Sequence, residues 1–157
     1  MNSAKRGFNP KKHTIYTPIN EEKYVDKDPI VCKSSWEVHF CKWCDSNPNI
    51  LKWSSEAIQI PYYDPIQKKN RRYYPDFSIS VRNADGRITN YIIELKPYKE
   101  TIPPTGRGNK KDKTVMYEFC TYQTNIAKWR AAIEFCRKHG VIFKLLTEKD
   151  LFKEDNK

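Results

Sequence analysis

The stretch that decides the fold is Tyr73-Tyr74-Pro75-Asp76-Phe77-Ser78-Ile79-Ser80-Val81, followed after a turn by Tyr91-Ile92-Ile93-Glu94-Leu95-Lys96. Between the two runs, Asn-Ala-Asp-Gly at residues 83–86 favours a type I turn closed by a left-handed glycine, the usual three-residue hairpin loop with a bulge. If Asn83 pairs with Arg87 across that turn, the ladder places Asp76 opposite Glu94. Lys96 then lies on the same face as Glu94, because strand side chains alternate between faces.

Asp76, Glu94 and Lys96 together predict a site for a hydrated divalent cation. Mg²⁺ (or Mn²⁺) prefers oxygen ligands, and Mg²⁺ usually takes one or two carboxylates while keeping waters and substrate phosphate oxygens. Such a metal lowers the pKa of a bound water and stabilises in-line attack on phosphorus. Lys96 is placed to orient that water or to neutralise developing charge. The alternative is an ordinary cross-strand salt bridge, with Lys96 between two surface acids.

The composition indicates a basic, single-domain protein with a polyanion as partner. The chain has 157 residues, with 29 Lys and Arg against 19 Asp and Glu, a net charge of +10. This charge favours nucleic acid, and DNA in particular, over a membrane surface. No apolar run reaches the ~18 residues of a membrane span, and the N-terminus lacks an apolar signal core. We therefore expect no membrane partner.

The cysteines favour a reducing compartment, because their number, five, does not complete a disulfide framework. His39-x-Cys41-x-x-Cys44 resembles half of a zinc site, but no second Cys/His pair with ligand spacing accompanies it. The alternative is that Cys41 and Cys44 fill space on a buried helix face.

The remaining pattern predicts one α/β domain over residues 32–153, preceded by a basic, partly disordered arm over residues 1–31. A helix near residues 34–44 is followed by three strands, a long helix and a short strand. The strands are predicted at 57–62, 71–82, 88–96 and 141–146, and the long helix at 114–139. Because a strand that follows a crossover helix normally lies parallel to a neighbour, we expect an αβββαβ core with a mixed sheet between helices. The long helix carries an apolar stripe of Val115, Phe119, Tyr122, Ile126, Trp129, Ile133 and Cys136, which predicts a core face.

Residues 97–113 predict a mobile basic loop, which is unusually long for a compact domain. Such a loop either contacts DNA or is a solvated insertion. The basic residues that we take as candidate DNA contacts, in this loop and on the long helix, are Arg107, Lys110, Lys111, Lys113 and Lys128.

The element order, with Pro75-Asp76 and Glu94-Leu95-Lys96 on neighbouring strands, resembles the PD-(D/E)XK nuclease superfamily. Further motifs extend the resemblance from about Ser34 to Leu151: Ser34-Ser35-Trp36-Glu37, Trp43-Cys44-Asp45, Trp53-Ser54-Ser55-Glu56, Ile60-Pro61-Tyr62, Tyr74-Pro75-Asp76-Phe77, Glu94-Leu95-Lys96-Pro97 and Ala127-Lys128-Trp129. With these motifs the chain resembles the head-completion proteins of contractile-tailed phages, which are similar to very-short-patch repair and transposon-end nucleases.

The resemblance implies that Asp76 and Glu94 bind metal and that Lys96 assists the attacking water. Related nucleases also place a metal-binding acid on the first helix, which here is Glu37. The alternative for Glu37 is structural, because Ser34-x-x-Glu37 is also a capping box. Some members use a polar residue on the helix after the motif, and Gln123 is a candidate, although it also fits a half-exposed helix glutamine.

The resemblance further implies a virion protein that is made in the host cytoplasm and acts at the packaged DNA end or portal before tail attachment. Two functions are open. One is a Mg²⁺-dependent DNA endonuclease, and the other is a non-catalytic head-completion factor that binds DNA or the portal. A repair or restriction-type nuclease is a third interpretation.

Overall fold

The computed structural model describes residues 13–106 and 108–152. In chain order its strands and helices are β1 (Thr14–Tyr16), β2 (Ile30–Cys32), α1 (Ser35–Ser46), β3 (Ile50–Ser55), β4 (Ile60–Asp64), β5 (Lys69–Tyr73), β6 (Phe77–Arg82), β7 (Ile88–Leu95), α2 (Asp112–His139), β8 (Ile142–Leu146) and α3 (Glu148–Leu151). Short 3₁₀ turns lie at Glu21–Lys23 and Tyr98–Glu100. In the part of the chain described, no helix has the length and apolar character that crossing a membrane requires.

The centre of the molecule is a four-stranded mixed sheet in the order β3-β6-β7-β8. The first three strands are antiparallel, and β8 lies parallel to β7 after the α2 crossover. Neighbouring residues of β7 point to opposite faces: Ile93 packs in a core with Phe40 of α1, and Ile92 packs in a second core with Trp129 of α2. Helices therefore cover both faces, which confirms the predicted α/β domain with an αβββαβ core.

The β6–β7 hairpin has the predicted register. The Asn83 amide donates to the Arg87 carbonyl at 2.7 Å, and the Gly86 amide donates to the Asn83 carbonyl at 2.9 Å. Gly86 has a φ of 85°, the left-handed conformation that glycine adopts without steric cost. Phe77 pairs with Ile93, so Asp76 and Glu94 are the next pair along the ladder.

The prediction of the first core strand at 57–62 was wrong. Residues 60–64 instead pair with residues 69–73 in a separate hairpin, β4–β5. The strand that borders β6 is β3, at residues 50–55. The sequence pattern did not indicate β3, because the polar residue Ser54 is buried there. Its hydroxyl hydrogen-bonds to Ser78 on the neighbouring strand rather than to water. The predicted strand at 71–82 is two strands, β5 and β6, separated by residues 74–76.

Residues 13–31 do not form an arm. Strand β1 pairs with β2, which itself crosses the predicted boundary between residues 31 and 32. The segment is held by the buried Asp45 carboxylate, which accepts hydrogen bonds from the Tyr16 hydroxyl and the backbone amides of Ile19 and Asn20 at 2.7–2.9 Å. Charge-assisted bonds of this kind are among the stronger ones in proteins. Residues 1–12 of the predicted arm lie outside the described residues.

Helix α2 begins two residues before the predicted start and ends, as predicted, before a left-handed Gly140. Its apolar stripe is core only in the C-terminal half, where Trp129 and Cys136 are buried. Phe119 and Ile133 are 50% and 56% exposed. Phe119 belongs to the N-terminal turns, which lie beside the loop that follows β7 rather than on the sheet, whereas Ile133 is an exposed position within the C-terminal half. The stripe prediction was wrong for both residues.

Candidate active site

Asp76 lies in the short link between β5 and β6, and backbone contacts on both sides hold it. Its Oδ2 atom accepts a hydrogen bond from the Leu95 amide at 2.8 Å. Its own carbonyl accepts one from the Glu56 amide at 3.0 Å. Buried Pro75 precedes it. The carboxylate is therefore placed against the end of β7 by the main chain of two other segments.

Glu94 is the buried carboxylate of the pair, with only 7% of the residue exposed. Among the described residues its Oε1 atom makes no hydrogen bond of good geometry, although the Tyr73 hydroxyl and the Asp76 amide lie close enough to help lower the pKa of this carboxyl. Its Oε2 atom lies 3.9 Å from Lys96 Nζ. This ion pair joins two residues at the end of one strand and involves a buried acid, so it is not the cross-strand salt bridge between surface acids that the sequence offered as an alternative. It engages one oxygen of Glu94 and leaves the other buried. A buried polar atom without a partner costs free energy, which marks this position as one that a ligand would stabilise.

The buried surroundings of Asp76 and Glu94 disfavour the charged forms of both carboxyl groups. Burial raises the pKa of Asp76 well above its usual range, and the neighbouring charge of Glu94 raises it further. Burial also raises the pKa of Glu94, whereas Lys96 opposes that rise. Like charges in a desolvated site repel, so a cation between the two carboxylates would relieve both effects.

The donor set fits a hydrated Mg²⁺ or Mn²⁺ rather than a metal enclosed by protein ligands. In residues 13–106 and 108–152, no three His, Cys, Asp or Glu side chains are grouped to hold a metal ion. Two carboxylates, one with a free buried oxygen, suffice for Mg²⁺, which keeps several waters. Cys41 and Cys44, the other candidate metal ligands, lie in the apolar core beneath the sheet, as the space-filling alternative proposes.

Glu37 caps helix α1. Its amide donates to the Ser34 hydroxyl at 3.2 Å, and its Oε1 accepts from the Lys33 amide at 3.2 Å rather than from the Ser34 amide of a standard capping box. Burial raises the pKa of Glu37. Its charge also contributes to the raised pKa of Asp76, which places it on the same side of the molecule as the carboxylate pair. Its role as a metal ligand stays a prediction.

Lys33 and Glu56 form an ion pair beside Glu37 that the sequence analysis missed. Lys33 Nζ lies 3.0 Å from both carboxylate oxygens of Glu56. Glu56 has a φ of 51°, an unusual backbone conformation for a residue other than glycine. The two residues are 23 positions apart, so no local spacing could have indicated the pair.

Tyr73 and Lys128 extend the site on the side of α2. Lys128 Nζ lies 5.7 Å from the centre of the Tyr73 ring and 5.9 Å from that of Tyr62. Burial lowers the pKa of Lys128, and the nearby charge of Lys96 lowers it further. Burial raises the pKa of the Tyr73 hydroxyl, and the charge of Glu94 adds to that rise. The structure thus brings Lys128, predicted from sequence as a DNA contact, next to the carboxylates.

Three of the other basic candidates, Lys110, Lys111 and Lys113, lie at the far end of α2 from Lys128. Lys111 precedes the first turn of α2, Lys113 is exposed in it, and Lys110 pairs with Glu118 at 2.9 Å. With a rise of 1.5 Å per residue, Lys113 is roughly 22 Å from Lys128 along the helix. Arg107 lies outside the described residues. Gln123 is half-buried on α2.

Comparison with known proteins places these observations in a family. The model of the family described as "TnsA-like endonuclease N terminal" matches residues 47–148, which include Asp76, Glu94 and Lys96. The "Head completion nuclease" of Enterobacteria phage T4 is 38% identical over 140 residues, which cover 87% of this chain and 91% of that protein. No solved structure matches the chain.

Proposed function

Because this chain belongs to the TnsA-like endonuclease N-terminal family, we propose that it is a metal-dependent DNA endonuclease that acts on the packaged DNA end of a phage head before tail attachment. The observation that carries the proposal is the unpaired, buried Oε1 of Glu94 beside Asp76, with Lys96 at the same strand end. DNA as substrate is supported by the net charge of +10.

Asp76 and Glu94 would hold Mg²⁺ or Mn²⁺, because the hydrogen bond of Leu95 and the ion pair of Lys96 each engage only one oxygen of the respective carboxylate. When bound, the metal supplies a water of lowered pKa and stabilises charge on the attacked phosphate. The Leu95 amide keeps Asp76 oriented without any side-chain rearrangement. Preorganisation of this kind is what makes electrostatic stabilisation effective.

Lys96 and Lys128 supply the positive charge on the substrate side. Lys96 pairs with Glu94 but is still partly exposed, so it can shift toward a phosphate oxygen or orient the attacking water. Lys128 lies over the rings of Tyr62 and Tyr73, and these contacts favour its position beside the carboxylates. Two lysines beside the carboxylates would favour binding of a phosphodiester there, because the attraction between opposite charges weakens with distance.

Cleavage of linear, nicked and branched DNA by the purified protein tests the proposal. Mg²⁺ and Mn²⁺ should support cleavage and EDTA should abolish it. Asp76→Asn, Glu94→Gln and Lys96→Ala should each lower the rate by orders of magnitude, a barrier increase of several kcal/mol. The matched control is Glu134→Gln, which neutralises an exposed acid paired with Arg137 on α2. A variant at Asp76, Glu94 or Lys96 that cuts within a few-fold of the parent protein would remove that residue from the site.

A second readout separates metal binding from activity. Mg²⁺ should raise the melting temperature of the parent protein, since a ligand that binds only the folded state stabilises it. The same addition should have little effect on Asp76→Asn. If the metal shifts neither protein and no DNA is cut, the acidic site is a relic and the protein is a non-catalytic head-completion factor.

Action at the DNA end or portal needs its own experiment. Phage assembled with Asp76→Asn in place of the parent protein should yield filled heads that fail to join tails. Normal tail joining with the inactive variant would show that head completion depends on binding to DNA or to portal and neck proteins, and not on cleavage.

A further inference from the structure

A groove of about 520 Å³ lies between the loop that follows β7 and the N-terminal half of α2. One wall is Pro103 and Pro104 of the loop, and the other is Tyr117 and Tyr122 of the helix. Asn125 also lines the groove. This loop is the one for which the sequence left open either DNA contact or a solvated insertion.

Asn125 is the most informative residue of the groove. Only 6% of the residue is exposed, and it lines the groove. A side-chain amide offers both donors and an acceptor. At this position it can pair with the polar edge of a planar group.

The groove adjoins the carboxylate site through neighbouring residues of α2 and of the loop. Asn125 precedes Lys128 by three residues, less than one turn of α2, and Lys128 is electrostatically coupled to Lys96 and Glu94. On the loop side, Lys99 lines the groove three residues after Lys96. A strand whose phosphate lies at Lys96 and Lys128 would thus place an adjoining nucleotide in the groove.

The dimensions and chemistry of the groove select its occupant. A volume of about 520 Å³ is in the range of small-molecule pockets, far too small for a duplex. Proline and tyrosine surfaces suit the flat face of a base, and stacking on aromatic side chains accepts any base. The Asn125 amide suits a base edge, for which adenine is the usual partner of asparagine.

We propose that this groove binds an unpaired nucleotide next to the cleaved phosphodiester, so that the protein acts on single-stranded overhangs or frayed ends in preference to blunt duplex. The inference rests on the proposed function for the position of the phosphate, but it makes a separate claim about binding. In this proposal the loop that follows β7 lets the protein distinguish single-stranded overhangs from blunt duplex ends.

The test is binding of the parent protein in EDTA to otherwise identical duplexes, one blunt and one with a short overhang that carries the fluorescent base 2-aminopurine. The overhang duplex should bind about tenfold more tightly, the effect expected of one stacked base, and its fluorescence should be quenched. Tyr117→Ala and Asn125→Ala should each remove most of the preference. The control is Phe119→Ala, which removes an exposed aromatic ring of the same helix that does not line the groove and should keep the preference.

Tyr117 is 71% exposed, so its alanine variant should fold even if the Asn125 variant does not. Equal affinity for both duplexes, or a preference that survives Tyr117→Ala, would overturn the inference. Because binding is measured without metal, its failure is distinguishable from that of the endonuclease proposal. If the protein prefers overhangs but cuts no DNA, nucleotide binding in the groove is supported and the endonuclease proposal is refuted. If it cuts blunt and overhanging DNA equally, the endonuclease proposal is supported and nucleotide binding in the groove is refuted.

Discussion

The Asp76 carboxylate accepts a 2.8 Å hydrogen bond from the backbone amide of Leu95, the residue between Glu94 and Lys96. This bond joins the two halves of the motif at the strand end. It occupies one oxygen of Asp76 and leaves the other directed toward the site. The cost is that Asp76 and Glu94 are held close in a desolvated position, where each raises the free energy of charging the other.

Asp76→Asn should stabilise the protein at neutral and alkaline pH when no divalent metal is present. The pKa of Asp76 is raised in the folded state, so its contribution to stability is fully present below the unfolded pKa and is lost as the pH rises through the folded pKa. Asparagine keeps an acceptor for the Leu95 amide but carries no charge. Thermal unfolding in EDTA should show a gain of at least ~2 °C at pH 8, equivalent to about 1 kcal/mol.

The same gain should vanish near pH 4, where the parent carboxyl is protonated in the folded state. The comparison needs only one protein pair and two buffers. An Asp76→Asn variant that melts at a lower temperature than the parent protein at pH 8 would show that the charged carboxylate stabilises the fold. That result would contradict the repulsion between Asp76 and Glu94.

Glu37→Gln should separate the cap of α1 from a metal-binding role. Glutamine retains an oxygen for the Lys33 amide, so the melting temperature without metal should stay within a degree or two. If Glu37 binds metal, the Mg²⁺ concentration for half-maximal cleavage should rise, because a hard cation loses a charged oxygen. Glu37→Ala should in addition lose about 1 kcal/mol of stability, as for a lost cap. An unchanged Mg²⁺ requirement in both variants would leave Glu37 with the structural role alone.

Lys128→Met should displace the acidic side of the pH–rate profile for cleavage toward higher pH. The charge of Lys128, after the larger effect of Lys96, helps to hold down the pKa of Glu94 against burial, so its removal lets that pKa rise. Losing a charged phosphate contact should also raise KM roughly tenfold. Lys128→Arg, which keeps the charge, should preserve the position of the profile. A Met variant with the parent profile would place Lys128 outside the electrostatics of the reaction.

Neutralising Lys110, Lys111 and Lys113 to glutamine should flatten the dependence of DNA affinity on salt. Each phosphate contact contributes about 0.9 to the slope of log affinity against log salt for duplex DNA. Lys110 already pairs with Glu118, so we expect the slope to fall by about 1.8 for two contacts rather than by the full value for three. Lys138→Gln, at the far end of α2, is the control. A slope that does not change would make this end of the loop a solvated insertion.

The register of the β6–β7 hairpin could be predicted because its turn chemistry is local. Asn83 and Gly86 determine the turn, the turn determines the register, and the register brings Asp76 to Glu94. Strand β3 could not be predicted in the same way, because Ser54 becomes buried only when Ser78 of β6 provides its hydrogen bond. The order of residues 13–31 likewise depends on a carboxylate in α1, Asp45, that lies far along the chain from the amides it binds.

The sequence by itself determined the αβββαβ core, the facing pair of Asp76 and Glu94, and Lys96 beside them, since alternation in strands and turn geometry act over a few residues. Only the tertiary structure decided that Glu94 keeps a buried oxygen unpaired, that Tyr73 and Lys128 complete the site, and that α2 and the loop enclose a groove at Asn125. These features arise where segments distant in sequence pack together. Burial and electrostatic coupling then depend on the whole fold, and no local pattern records them.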